Sequence, residues 1–260
     1  MNFNLPHIPS RNEKPRENGL TMMMDKGLSL REAENFISAS GELTDIVKLG
    51  FGTSYLTKNL KEKIKLYQEA ELHVYFGGTL FEAFVARNMF DDYRKILDEF
   101  NLNMAEVSDG SIEISHQQKC EYINTLKQQV TVLSEVGSKD ATKLIPPYKW
   151  IELMQKELEA GSWKVIAEAR EGGNVGIYRG TGEVRSDLIE EILTQIPQDD
   201  ILWEAPQKSQ QVWFIKLMGA NVNLGNIAYN EVIPLECLRL GLRGDTFFDN
   251  LPQEIIKNIK

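Results

Sequence analysis

Leu20-Thr21-Met22-Met23-Met24-Asp25-Lys26-Gly27-Leu28 is the stretch on which the fold turns. A short apolar run, Leu20-Met24, reads as a strand and passes directly into a charged turn. An open, doubly wound sheet that binds a dinucleotide carries a Gly-x-Gly-x-x-Gly turn after its first strand. Asp25-Lys26-Gly27-Leu28 is not that fingerprint, so the unit is the first of a different strand–helix series.

The series continues at a regular interval. Further β-rich runs follow at Ile46-Gly50, His73-Phe76, Met104-Val107, Val130-Val136, Trp163-Ala169, Ile201-Ala205 and Val222-Ile227, roughly 20 to 38 residues apart. Between them lie helical patterns with charged outer faces, from Leu30-Ser40 and Leu60-Ala70 through to Ser209-Met218 and Ile233-Leu240. Parallel strands need such crossovers, and eight in strict alternation predict closure as one α/β, single-domain (β/α)8 TIM barrel spanning residues 1–260. Residues 1–18 form a polar N-terminal extension. Residues 247–260 (Phe247, Phe248, Leu251, Ile255, Ile256, Ile259) form an amphipathic tail packed on the barrel or on a neighbour. Barrels commonly associate, and a homo-oligomer is expected.

Composition removes several classes of function. The chain has 260 residues, a net charge of −9 and only two cysteines, Cys120 and Cys237. A disulfide framework is not expected and a reducing cytoplasm is. No basic stripe suits nucleic acid, and no apolar run approaches the roughly 18 residues that cross a bilayer. His7, His73 and His116 have no zinc-ligand spacing, and no Gly-x-Ser-x-Gly elbow is present.

The strand ends carry the chemistry. Alternate strand residues of a barrel face its interior, which is normally aliphatic, and charges there are costly unless paired or holding a ligand. Yet polar groups recur at the C-terminal end of nearly every strand: Asp25 and Lys26; Lys48; Thr79; Glu106, Ser108 and Asp109; Glu135 and Lys139; Glu168 and Arg170; Glu204; Asn223 and Asn226. Any one could be a salt-bridge partner, and Lys48 alone could simply neutralise Glu106 or Glu204. Lys14 and Arg16 read as structural, and the charges of Asn59-Lys65 as a solvated face. The recurrence at one end predicts a site at the barrel mouth.

Glycine turns at Gly50-Phe51-Gly52 and Gly77-Gly78-Thr79 could cradle an anion with backbone N–H groups, or could be plain turns. Lys208 follows the seventh strand and Asn223-Leu224-Gly225-Asn226 closes the eighth, the recurrent phosphate position of this fold. A phosphorylated substrate is therefore expected, with Gly78, Thr79, Ser108, Lys208, Asn223, Gly225 and Asn226 as candidate binders. Glu106, Glu135, Glu168 and Glu204 without histidine suit a hard cation such as Mg2+, and the residues alone do not rank them.

At these same segments the chain resembles the phosphosulfolactate synthase family. The resemblance rests on Lys14-Pro15-Arg16, Asp25-Lys26-Gly27-Leu28, Val47-Lys48-Leu49-Gly50, Gly77-Gly78-Thr79-Leu80-Phe81-Glu82, Val107-Ser108-Asp109-Gly110 and Leu133-Ser134-Glu135-Val136-Gly137. It extends through Glu168-Ala169-Arg170-Glu171, Glu204-Ala205-Pro206, Asn221-Val222-Asn223-Leu224-Gly225-Asn226 and Gly241-Leu242-Arg243-Gly244-Asp245-Thr246. It implies a magnesium-dependent lyase that adds sulfite to phosphoenolpyruvate, giving (2R)-phospho-3-sulfolactate. The product feeds coenzyme M synthesis in methanogens and sulfolactate formation in some bacteria. Lys139 is then the expected proton donor, with Lys48, Arg170 and Lys26 holding the two anions and Asp25 beside them. Two departures stand out. Ser138-Lys139 replaces a pair of lysines, and Gly172 replaces the serine of Arg-Glu-Ser-Gly. Two other readings stay open: a non-catalytic stress-tolerance relative, and a lyase for another phosphorylated substrate on the same barrel.

Overall fold

Eight parallel strands form one sheet in the order β3-β2-β1-β8-β7-β6-β5-β4 in the computed structural model, which describes residues 2–137, 145–169 and 172–259. The strands are β1 (Thr21–Asp25), β2 (Ile46–Leu49), β3 (His73–Phe76), β4 (Met104–Val107), β5 (Thr131–Val136), β6 (Lys164–Ala167), β7 (Ile201–Glu204) and β8 (Leu224–Ala228). The (β/α)8 barrel expected from the sequence is the fold observed. Every neighbouring pair is joined by a parallel ladder except β3 and β4, where the wall stays open.

The helices among the described residues depart from strict alternation. They are α1 (Leu30–Ser40), α2 (Thr53–Leu56), α3 (Leu60–Glu69), α4 (Gly78–Val85), α5 (Phe90–Glu99), α6 (His116–Leu126), α7 (Pro147–Ala160), α8 (Ser186–Leu193), α9 (Lys208–Met218), α10 (Val232–Arg239) and α11 (Gln253–Ile259). The extra helix α2 starts just after the glycine turn that follows β2, and α4 starts inside the one that follows β3. Helix α1 starts at a full capping box, Ser29 with Glu32. The tail does form a helix, α11, with no buried residue and with Ile259 58% exposed.

The period-two alternation of the strands divides the core in two. Outward residues such as Met23, Val47, Val74, Val107 and Trp203 pack against the helices. Inward residues Met22, Ile46, Tyr75, Met104, Leu133, Ile166 and Leu202 plug the barrel. Two positions further along, the same inward register carries Met24, Lys48, Glu106, Glu135, Glu168 and Glu204. The apolar plug is thus a floor on which a charged layer stands.

The opposite end of the barrel is closed by paired charges, as read for Lys14 and Arg16. Arg16 pairs with Asp45 at 2.9 Å, and the Lys14 ammonium donates to the Gly41 carbonyl at 2.8 Å. A cavity of about 760 Å³ opens there, but its basic groups are already engaged. Asn223 belongs to this end too, against expectation. It accepts from the Leu20 N–H (3.1 Å) and donates to the carbonyls of Asp199 (3.1 Å) and Ile201 (3.0 Å). The physical reason is that β8 begins only at Leu224, so Asn223 precedes the strand it was expected to close.

Candidate functional site: a carboxylate-lined barrel mouth

The charged layer lines a cavity of about 530 Å³ at the C-terminal ends of the strands. Lys48 stands at its centre, 5% exposed, with its ammonium 2.9 Å from Glu106, 3.3 Å from Glu204 and 3.6 Å from Glu135. Burial opposes its charge, but Glu106, the Tyr75 hydroxyl, Glu204 and Glu135 outweigh that and hold it well above the usual lysine range. Lys48 therefore stays an ammonium. Glu135, Glu168 and Glu204 each offer a carboxylate oxygen within 4.8 Å of the others. All are buried, at 4%, 1% and 1% exposure.

Burial and mutual repulsion both act on these carboxylates. Burial pushes the Glu204 carboxyl up to about 7, and Glu135 and Glu106 push the same way, against Lys48 and the Ala169 N–H. Three carboxylates at this spacing could hold a hard divalent ion, which takes oxygen ligands. Glu106 is set apart from the other three. Its Oε1 accepts the Gly78 N–H at 2.8 Å and its Oε2 lies against Lys48, so it braces Lys48 across the open seam.

Of the other residues expected at the mouth, Lys26, Gly78, Thr79 and Asn226 line the cavity. Asn226 reaches it through a bulge. The β1–β8 register shifts between Thr21 and Met23, and Asn226 sits at φ 56°, a left-handed conformation that re-aims its side chain inward. Its Oδ1 is buried, and no hydrogen bond reaches it among the described residues. Gly78 is no anion cradle, because its N–H is spent on Glu106; its lack of a side chain leaves room for Ser108 and Glu106.

Five expectations move elsewhere. Asp25 falls on the outward parity of β1 and is fully buried against α3, where Lys63 (2.7 Å) and Tyr67 (3.0 Å) bind it. It also accepts the Gly27 and Leu28 N–H groups at 2.7 Å each, so it shapes the turn that carries Lys26. The Ser108 hydroxyl bonds Glu82 on α4. Lys208 pairs with Asp245 at 2.6 Å on the surface. Gly225 makes room for Met22 and Leu202 in the plug, and Asn223 lies at the far end. Lys139 and Arg170 lie outside the described residues, as does Ser138.

Further residues belong to the site. Met24, Phe51 and Asn174 line the cavity. Met24 was legible from the parity of Met22. Phe51 and Asn174 stand in loops, where no periodicity points. Lys63 is 1% exposed, contrary to the solvated face read for Asn59-Lys65, because it turns inward to Asp25. Lys119, equally buried on α6, bonds Asp109, Glu157 and the Glu135 carbonyl.

A barrel of parallel strands with buried ionisable groups gathered at their C-terminal ends is the architecture of a (β/α)8-barrel enzyme. More particularly, the chain belongs to the (2R)-phospho-3-sulfolactate synthase family, whose model matches residues 9–245. It is 40% identical to phosphosulfolactate synthase of Bacillus subtilis (strain 168) over 244 residues, covering 93% of this chain and 97% of that one. Identity to the phosphosulfolactate synthase of Methanothermobacter thermautotrophicus is 41% over 244 residues, covering 92% and 95%. Protein HEAT-STRESS-ASSOCIATED 32 of Arabidopsis thaliana is 21% identical over 258 residues, covering 88% of each chain. Among solved structures, 3-hexulose-6-phosphate synthase from Salmonella typhimurium superposes with a TM-score of 0.54 at 16% identity, covering 86% of this chain and all of that one. That likeness speaks to the barrel alone. No helix among the described residues is long and apolar enough to cross a membrane.

Proposed function

We propose that this protein is a phosphosulfolactate synthase in activity as well as family: a lyase that joins sulfite to phosphoenolpyruvate in the barrel mouth, with Mg2+ as cofactor. The observation that carries the reading is the family match over residues 9–245. The chemistry of the mouth supports it, since small anions and buried glutamates can share a cavity only through cations.

In the reaction the sulfite sulfur lone pair forms a C–S bond at the terminal methylene carbon. The double-bond pair shifts to the neighbouring carbon and its carboxylate, and that carbon then takes a proton. Glu135, Glu168 and Glu204 would hold the Mg2+, which when bound would supply Lewis-acid stabilisation for charge on the substrate carboxylate. Lys48, fixed by Glu106 and kept as an ammonium, presents a permanent positive charge at the cavity wall. Lys26, carried on the turn that Asp25 shapes, and Arg170 are the further anion-holding groups. Lys139 is the proton donor, a role that rests on the sequence resemblance. The plug beneath the charged layer keeps water from entering from below.

The test is sulfite-dependent consumption of phosphoenolpyruvate, with Mg2+ and with EDTA, and the product identified by mass. Magnesium-dependent phosphosulfolactate is the expected result. A folded protein that makes none would return the choice to another phosphorylated substrate or to a non-catalytic role. In active protein, Lys139→Ala should lower turnover by about 10²- to 10⁴-fold, the range for losing a general acid. Unchanged turnover would remove Lys139 from the mechanism.

A further inference from the structure

The barrel wall is held from outside by two buried lysines, on strands that lie opposite each other. At β1, Lys63 of α3 reaches Asp25 (2.7 Å) and the Leu28 carbonyl (2.9 Å). At β5, Lys119 of α6 reaches Asp109 (2.9 Å), Glu157 of α7 (2.9 Å) and the backbone carbonyl of Glu135 (2.5 Å). An ammonium has three donors, and Lys119 has three acceptors.

The position of that carbonyl gives the second lysine its significance. The β4–β5 ladder ends with Val107 opposite Ser134, so Glu135 is the first residue of β5 beyond it. Its carboxylate faces the mouth while its carbonyl is bound by Lys119. Buried ion pairs are a poor means of stabilising helix packing, since apolar replacements of equal volume often do as well or better. What they do well is fix a point in space, and the point fixed here is the backbone of a candidate cation ligand.

We propose that Lys119 is a positioning residue for the cation site, holding Glu135 at the spacing from Glu168 and Glu204 that a divalent ion requires. This rests on the reading above that those three carboxylates bind the ion. Lys119 itself touches neither ion nor substrate. The matching clamp at β1 serves no carboxylate of the trio, which makes it an internal control.

The experiment measures Mn2+ binding to substrate-free protein by electron paramagnetic resonance, with stability followed in parallel. The charge-balanced pair Lys119→Met with Glu157→Gln is compared with Lys63→Met with Asp25→Asn. Both pairs remove a buried lysine and one buried carboxylate charge, so both should lose stability. Only the first should weaken Mn2+ binding, by about 10- to 100-fold, the usual effect of losing support behind a metal ligand. Binding within about twofold of wild type in the first pair, or equal weakening in both, would overturn the proposal. Should the first pair fail to fold, Lys119→Arg moves the donors while keeping the charge; undiminished Mn2+ affinity there would also overturn it. If wild-type protein binds no Mn2+, the cation reading itself falls and takes this inference with it, a result distinct from the others.

Discussion

Glu204→Gln isolates the electrostatic load of the mouth. In the metal-free protein burial and the neighbouring carboxylates raise the Glu204 carboxyl from 4.5 to about 7. At about 1.4 kcal/mol per unit the ionised form then costs about 3 kcal/mol of stability. The direction follows from proton counting. Between about pH 4.5 and 7 the folded protein holds a proton that the unfolded chain has released, so stability falls as pH rises through that window. Above about 7 the whole cost is present; below about 4.5 it is absent. Glutamine keeps the shape without the charge. It loses part of the gain by weakening the bonds to Lys48 (3.3 Å) and to the Ala169 N–H (3.0 Å). A net gain of about 2 kcal/mol at pH 8 remains, roughly 4–8 °C in Tm for a chain of this size. The assay is thermal unfolding in EDTA at pH 5.5 and pH 8, repeated with excess Mg2+. Wild type should be more stable at the lower pH, the variant flatter, and Mg2+ should stabilise wild type more than the variant. A variant no more stable than wild type at pH 8, with the same pH slope, would refute the reasoning.

Three further outcomes follow from the same geometry. Lys48→Met leaves Glu106, Glu135 and Glu204 without their shared cation and should cost about 3–5 kcal/mol in urea unfolding, part of it restored by Mg2+. Gly78→Ala drives a methyl group into Ser108 and Glu106; about 1–3 kcal/mol of lost stability is expected by the same measurement. Asn226→Gly removes both a left-handed side-chain residue and a buried carbonyl oxygen with no hydrogen-bond partner among the described residues, so it should be at least as stable as wild type. Its KM for phosphoenolpyruvate or for sulfite should nevertheless rise about tenfold, the worth of one lost hydrogen bond, and unchanged constants for both would exclude Asn226 from binding.

The barrel was legible because its signal is repetitive. Eight apolar runs at helix-plus-strand spacing permit few topologies, and the turn after Met24 excluded the main competitor. The carboxylates were legible for a related reason: a glutamate two residues beyond an inward aliphatic, as in Leu133 and Glu135 or Leu202 and Glu204, faces the same interior. Parity also explains the failures. Carried one residue further it would have turned Asp25 outward with Met23. Asn223 fell at the far end because β8 starts one residue after it, and the bulge that brings Asn226 to the mouth leaves no mark in an alternation pattern. Lys63 and Lys119 were illegible for another reason. A helix lysine among polar or charged neighbours reads as solvated, and the carboxylates that pair with these two lie on other elements.

The seam between β3 and β4 has a consequence for how the molecule responds to its contents. Elsewhere the wall is closed by backbone ladders that are indifferent to what the barrel holds. Here the junction near the mouth rests on side chains, Glu106 accepting from the Gly78 amide and Glu82 of α4 from Ser108 and the Ser111 N–H, and Glu106 also braces Lys48. Any ligand that redistributes charge on Lys48 must alter the grip of Glu106 on the Gly78 amide. By reciprocity, opening the seam must alter the affinity for that ligand. The protein has in effect placed a strain gauge in its own wall, and the exchange rate of a single amide hydrogen, that of Gly78, is its dial.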